Sequence, residues 1–232
     1  MSARRILALE TATDACSVAL WVDGDVRECF ELAPRRHLVL LLPFVDRLLA
    51  DAGLTIGQLD AIAFGRGPGS FTGLRIAASV AQGLAYGAGL PVIPVSTLAT
   101  VAQCCARERG AGMVLAALDA RMQEVYYGAF SRAADGLVVA AGEEGVCAPD
   151  ALPAPPDADW YAAGDGWSAH GERLRARLPY RLAGDMPEAR PHAADTARLA
   201  VARFARGEAL SPEQAVPVYL RNHVADKPGA KV

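Results

Sequence analysis

The sequence predicts an α/β protein made of two related halves, each ordered β-β-β-α-β-α. Three observations carry this expectation. Apolar strand-like runs alternate with amphipathic helical runs through the first half. A strand closing on an acid, then a polar turn, occurs at Ile6–Glu10 and again at Met113–Asp119, about 110 residues apart. A glycine-rich turn, Gly65-Arg66-Gly67-Pro68-Gly69-Ser70-Phe71-Thr72-Gly73-Leu74-Arg75, joins a strand to a helix. The expected division is 1–110 for an N-terminal lobe and 111–232 for a smaller, degenerate C-terminal lobe with a loose polar tail.

The elements follow in order. Ile6–Leu9 is an apolar strand, Thr11–Asp14 a polar turn and Ala15–Val22 a second strand. Asp23-Gly24 is a hairpin signal, and Val26–Leu32 reads as the third strand. From His37 to Ala52, Leu38, Leu41, Leu42, Val45, Leu48, Leu49 and Ala52 recur at helical spacing, with Gly53 as the stop and Pro43 as a bend. Ala61–Phe64 is a strand, Thr72–Tyr86 a helix and Leu90–Val95 a strand. Ser96 is a natural N-cap for a helix to Arg109, with Gly110 beyond. The second half repeats the opening with strands at Met113–Leu118, Val125–Phe130 and Leu137–Ala141. Residues 149–159 read as an irregular connection, and Trp160–Ala163 as a further strand. Helices are expected over His170–Leu178 and Asp195–Arg206, the latter with Asp195 as its N-cap.

Composition narrows the function. The 232 residues are 52% hydrophobic, enough for a sizeable core, and the net charge is −3. That charge offers no global attraction to nucleic acid or anionic membranes. The opening Met1–Arg5 lacks the pattern of a signal peptide, and no uncharged apolar stretch is long enough to span a bilayer. Five cysteines without C-x-x-C spacing indicate neither a disulfide framework nor a zinc site, but buried thiols in a reducing cytoplasm. The four histidines (His37, His170, His192, His223) have no metal-pair spacing.

The glycine turn matches neither common phosphate fingerprint. It lacks a Gly-Lys-Ser/Thr ending, and Ser70 replaces the third glycine of G-x-G-x-x-G. Nor does it form a G-x-S-x-G nucleophile elbow. Its N–H groups could serve an anion or nucleotide together with Glu10, Thr11, Thr13, Gly67, Gly69, Ser70 and Arg75. The favoured alternative is a sharp turn that sets the following helix at a partner surface.

Two helices carry surplus apolar surface. Leu40 and Phe44, with Arg47 beside them, lie off the main apolar face of the first helix. Gly73, Ala77, Ala81 and Ala85 form a small-residue ridge on the second. Packing against the protein's own sheet would use both features, but a helix–helix interface with another chain is the preferred reading.

Two such lobes resemble the actin-like ATPase (ASKHA) fold. Within it, the chain resembles the TsaB family on several strings. They are Leu7-Ala8-Leu9-Glu10-Thr11-Ala12-Thr13, Gly67–Arg75, Gly83-Leu84-Ala85, Pro91–Leu98, Leu118–Tyr126 and Tyr219-Leu220-Arg221. Glu10 stands where many relatives carry aspartate, and Met122 where a second basic residue is common. The resemblance implies a non-catalytic subunit of the complex that makes threonylcarbamoyladenosine in tRNA. Such a subunit pairs with the transferase TsaD, and the ATPase TsaE joins the complex. It implies no catalytic or metal residues and no tightly bound cofactor, with ATP or ADP only in the assembled complex. The tRNA would be contacted indirectly, and a homodimer could form without the partner. Ser96, Thr97 and Leu98 stand where TsaD places its first metal-binding histidine. The rival expectation is a small-molecule kinase or ATPase of the same superfamily, motivated by Glu10 and Asp119 at the two strand ends.

Overall fold

The computed structural model describes residues 4–221. Met1–Ala3, His223 and the expected polar tail lie outside the described residues. β1 (Arg5–Glu10), β2 (Ala15–Val22) and β3 (Asp25–Leu32) form an antiparallel meander, as the Asp23-Gly24 turn predicts. α1 (His37–Ala52), β4 (Ala61–Gly67), α2 (Phe71–Ala88), β5 (Val92–Ser96) and α3 (Thr97–Arg109) follow. β4 adds parallel to β1, and β5 parallel to β4, giving the order β3-β2-β1-β4-β5.

The second half contains β6 (Met113–Arg121), β7 (Glu124–Arg132), β8 (Val138–Ala140) and β9 (Gly145–Cys147). Then come β10 (Trp160–Ala163), α4 (Asp165–Ala176), β11 (Gly184–Met186) and α5 (Ala193–Ala205). Its sheet runs β8-β7-β6-β10-β11, the order of the first sheet repeated strand for strand. The duplication is therefore topological. One element differs: among the described residues, no counterpart of α1 follows the meander. A short 3-10 turn at Pro149–Ala151 and an irregular stretch stand there instead.

Both sheets are buried on both faces, which explains their near-continuous apolar strands. In β1, Leu7 and Leu9 face the layer of α1 and α2, while Ile6 and Ala8 face the centre. In β6, Val114, Ala116 and Leu118 face that same centre, while Leu115 and Ala117 meet α4. The centre is filled by α3, which packs on both sheets, and by α5, and Leu98, Val101, Ala197 and Ala200 share one cluster with residues of both. Thus Gly110 separates the two sheets but not two cores. α5 lies across β1, β2, β4 and β5 of the first sheet. The chain then returns to that sheet, where Leu210 bridges Val92.

Helix ends follow local chemistry. Gly53, Gly89 and Gly110 close α1, α2 and α3 in the left-handed conformation. Ser96 caps α3 by accepting from the Ala99 N–H at 3.2 Å. Asp195, by contrast, is not the cap of α5: the cap is His192, and Asp195 lies inside the first turn. Its fully buried carboxylate is taken by Arg107 of α3, through two bonds of 2.9 Å. α4 starts at Asp165, ahead of the expected His170, where the backbone instead kinks.

Candidate functional site

The glycine turn and the β1 terminus form one closed seam. The Ser70 N–H donates to Ala12 O at 2.7 Å, and Thr11 Oγ1 donates to Gly73 O at 2.7 Å. The approach is so close that a Cβ on Gly73 would lie 2.0 Å from Thr11 O, and one on Gly69 2.4 Å from Ala12 O. These glycines serve backbone contact within the chain. Glu10 and Thr11 have no exposed surface. Glu10 accepts from the Ala12 N–H at 2.8 Å and from Thr97 Oγ1 at 3.4 Å. Burial without a facing cation pushes its carboxyl up to about 7, against the pull of those hydrogen bonds. Gly67, at φ +106°, is buried against Leu74 and Val218 O.

Of the residues expected at an anion or nucleotide, Glu10, Thr11 and Gly67 are buried in the folded chain, and Gly69 is half-buried against Ala12. Ser70 caps α2, accepting from the Gly73 N–H at 3.4 Å. Thr13 Oγ1 accepts from the Ala15 N–H at 3.3 Å. Arg75 is exposed; it stacks on Phe71 at 3.8 Å, and its Nε donates to Tyr219 Oη at 3.1 Å. Asp119 turns onto its own loop, accepting from the Arg121 N–H at 2.9 Å and from the Arg121 guanidinium at 2.9 Å. Among the described residues, no three His, Cys, Asp or Glu side chains are grouped to hold a metal.

The partner-facing ridge also needs correction. Gly73, Ala77, Ala81 and Ala85 are buried under the protein's own first sheet, where their small size lets α2 approach β4. Leu40 and Phe44 are half-buried and pack on the core beneath α1 and α2. Arg47 is exposed, with Asp51 at 3.7 Å. The free apolar face is the neighbouring one. Leu38 and Val39 are 68% and 63% exposed, and Leu42, Phe71 and Tyr86 are also open. Exposed Ser79 and Gly83 lie between the half-buried Ile76, Val80 and Leu84 of α2. Sequence reasoning placed Leu38 and Leu42 on the buried face. The face that packs is Leu41, Val45, Leu48 and Leu49.

Comparison with known proteins is decisive about ancestry. The family model "TsaD: tRNA N6-adenosine threonylcarbamoyltransferase" matches residues 31–202. The tRNA threonylcarbamoyladenosine biosynthesis protein TsaB of Escherichia coli (strain K12) is 45% identical over 226 residues, spanning 96% of this chain and 97% of its own. The chain belongs to the TsaB family. The TsaB protein of Haemophilus influenzae is 40% identical, over 96% of this chain and 95% of its own. Among solved structures, YeaZ from Pseudomonas aeruginosa superposes with a TM-score of 0.87 at 47% identity, covering 94% of this chain and 100% of that one. A second Pseudomonas aeruginosa structure, described as similar to "peptidase YEAZ", gives 0.88 with the same coverage. The TsaB family's duplicated actin-like fold is thus the one described above.

Proposed function

We propose that this chain is a non-catalytic subunit in the biosynthesis of threonylcarbamoyladenosine in tRNA, and that it binds and activates a TsaD-type transferase subunit. The observation that carries this reading is the open apolar face of α1 and α2 in a TsaB-family chain. Leu38, Val39, Leu42, Phe71 and Tyr86 leave water only if another surface covers them. The seam supports it, since Glu10 is shut into the protein with no exposed surface. The assembled pair helps recruit the TsaE ATPase, and any adenine nucleotide belongs to that assembly. The net charge of −3 favours tRNA contact through the partner. Cytoplasmic residence follows from that role; among the described residues, no helix is long and apolar enough to cross a membrane. Without the partner, the same face joins two copies of the chain, which sedimentation at increasing concentration would detect.

The test is reconstitution. Purified TsaD and TsaE are assayed for tRNA modification with and without this chain, alongside ATP turnover by the chain alone. Modification that depends on the chain, with no turnover by it, supports the reading. Full modification in its absence overturns the reading.

A further inference from the structure

β8 and β9 pair with the same edge of β7, antiparallel, at Phe130–Arg132 and Val125–Tyr127. They are one edge strand interrupted after Ala141, whose N–H still donates to Ala129 O at 2.8 Å. Residues 142–144 there face Gly128 of β7, so the interruption is a bulge that throws its chain off the sheet. Glu144 closes the bulge and reaches the first lobe. It accepts a short hydrogen bond from Ser96 Oγ and pairs with Arg66 at 3.4 Å. Its Cγ passes over Gly128, where a Cβ would lie at contact distance, 3.4 Å, and would meet the Phe130 ring first, at 2.9 Å. The Glu144 side chain is only 13% exposed. Arg66 and Ser96 lie at the C-terminal ends of β4 and β5, the edge where open α/β sheets usually leave a ligand crevice. Arg66 also ties down the returning chain, its carbonyl accepting from the Val218 N–H at 2.8 Å.

We propose that the 142–144 bulge is a flap and Glu144 its latch. The carboxylate from the second lobe pins the flap over the ends of β4 and β5, and its release lifts the flap from Ser96 and Arg66.

Hydrogen exchange of the full chain tests it, with Glu144→Ala and the milder Glu144→Gln. A buried charge-assisted bond of this kind is worth about ten- to a hundredfold in local opening. Peptides spanning 140–147 and 94–99 are expected to exchange faster by that factor in the alanine variant, and by less in the glutamine variant. Peptides from β1 and α5 should keep their wild-type protection. Unchanged exchange in 140–147 and 94–99 overturns the latch. Equal acceleration in β1 and α5 also overturns it, because Glu144 would then serve global stability only.

Discussion

Glu10 ends β1 inside the protein, bonded to the Ala12 N–H and to Thr97 Oγ1. Burial raises its carboxyl from 4.5 to about 7, so the folded state binds a proton that the unfolded chain has already released. Stability tied to Glu10 is therefore greatest below about pH 4.5 and falls as pH rises toward 7 and beyond. The penalty at high pH is of order 3 kcal/mol. Glutamine can keep both bonds, accepting from Ala12 and donating to Thr97. Glu10→Gln should consequently flatten the decline in denaturant midpoint between about pH 5 and 8 and leave the variant more stable at the upper end. A variant whose pH profile overlays the wild type would remove Glu10 as the cause. Arg107 poses the opposite case, since it neutralises an acid with no exposed surface, Asp195. Arg198 also reaches Asp195, at 3.3 Å, but from one side only. Arg107→Ala should cost about 3 kcal/mol, read from urea unfolding at neutral pH.

At the scale of elements, α1 and α2 each have one committed face and one free face. Ala81 belongs to the committed face of α2, so Ala81→Leu forces extra carbons between helix and sheet and should cost about 1–3 kcal/mol. Leu42 belongs to the free face of α1, so Leu42→Asp should change stability by less than about 0.5 kcal/mol. The same Leu42→Asp should weaken co-purification with the TsaD-type subunit by at least about tenfold, if the open face is where that subunit seats. Melting temperature and pull-down on both variants separate the two faces. The helices themselves were legible, because period and glycine stop agree for α1, and N-cap and glycine stop for α3. Which stripe packs was not legible. On α1, Leu38, Leu41 and Leu42 look alike in sequence, and only the position of β2 beneath them decides. On α2 a small-residue ridge suits a sheet as well as a second helix, and the sheet has it.

For the whole molecule, repetition was legible and closure was not. The acid-ended strands at Glu10 and Asp119 revealed two copies of one topology. Nothing local shows that α5 crosses to the first sheet, because its partners lie far away in sequence. The clasp at its start shows how the halves are held. The Ala193 N–H donates to Ser17 Oγ at 2.9 Å, and the Ala194 N–H to Glu28 Oε1 at 3.0 Å, so strands of the first lobe cap a helix of the second. His192 stacks on Phe30 at 4.3 Å, and its Nδ1 lies 2.9 Å from Glu28 Oε2. Burial opposes charge on the His192 ring, yet the hydrogen bond and charge of Glu28 outweigh it and hold His192 above 6.5. Burial likewise works against the Glu28 carboxylate, but His192, the Ala194 N–H and Ser17 keep it below 4.5. Asp195 adds to the hold on His192, while Arg107 opposes it. The ion pair therefore contributes in full between the ordinary carboxylate and imidazole ranges, and fades as pH climbs through the raised His192 value. His192→Phe keeps the stack and deletes the pair. Between about pH 6 and 8 the wild type should lose more unfolding free energy than His192→Phe, while Ser17 and Glu28 still cap α5. Parallel urea titrations at the two pH values decide this, and equal losses would mean the clasp owes nothing to the imidazolium.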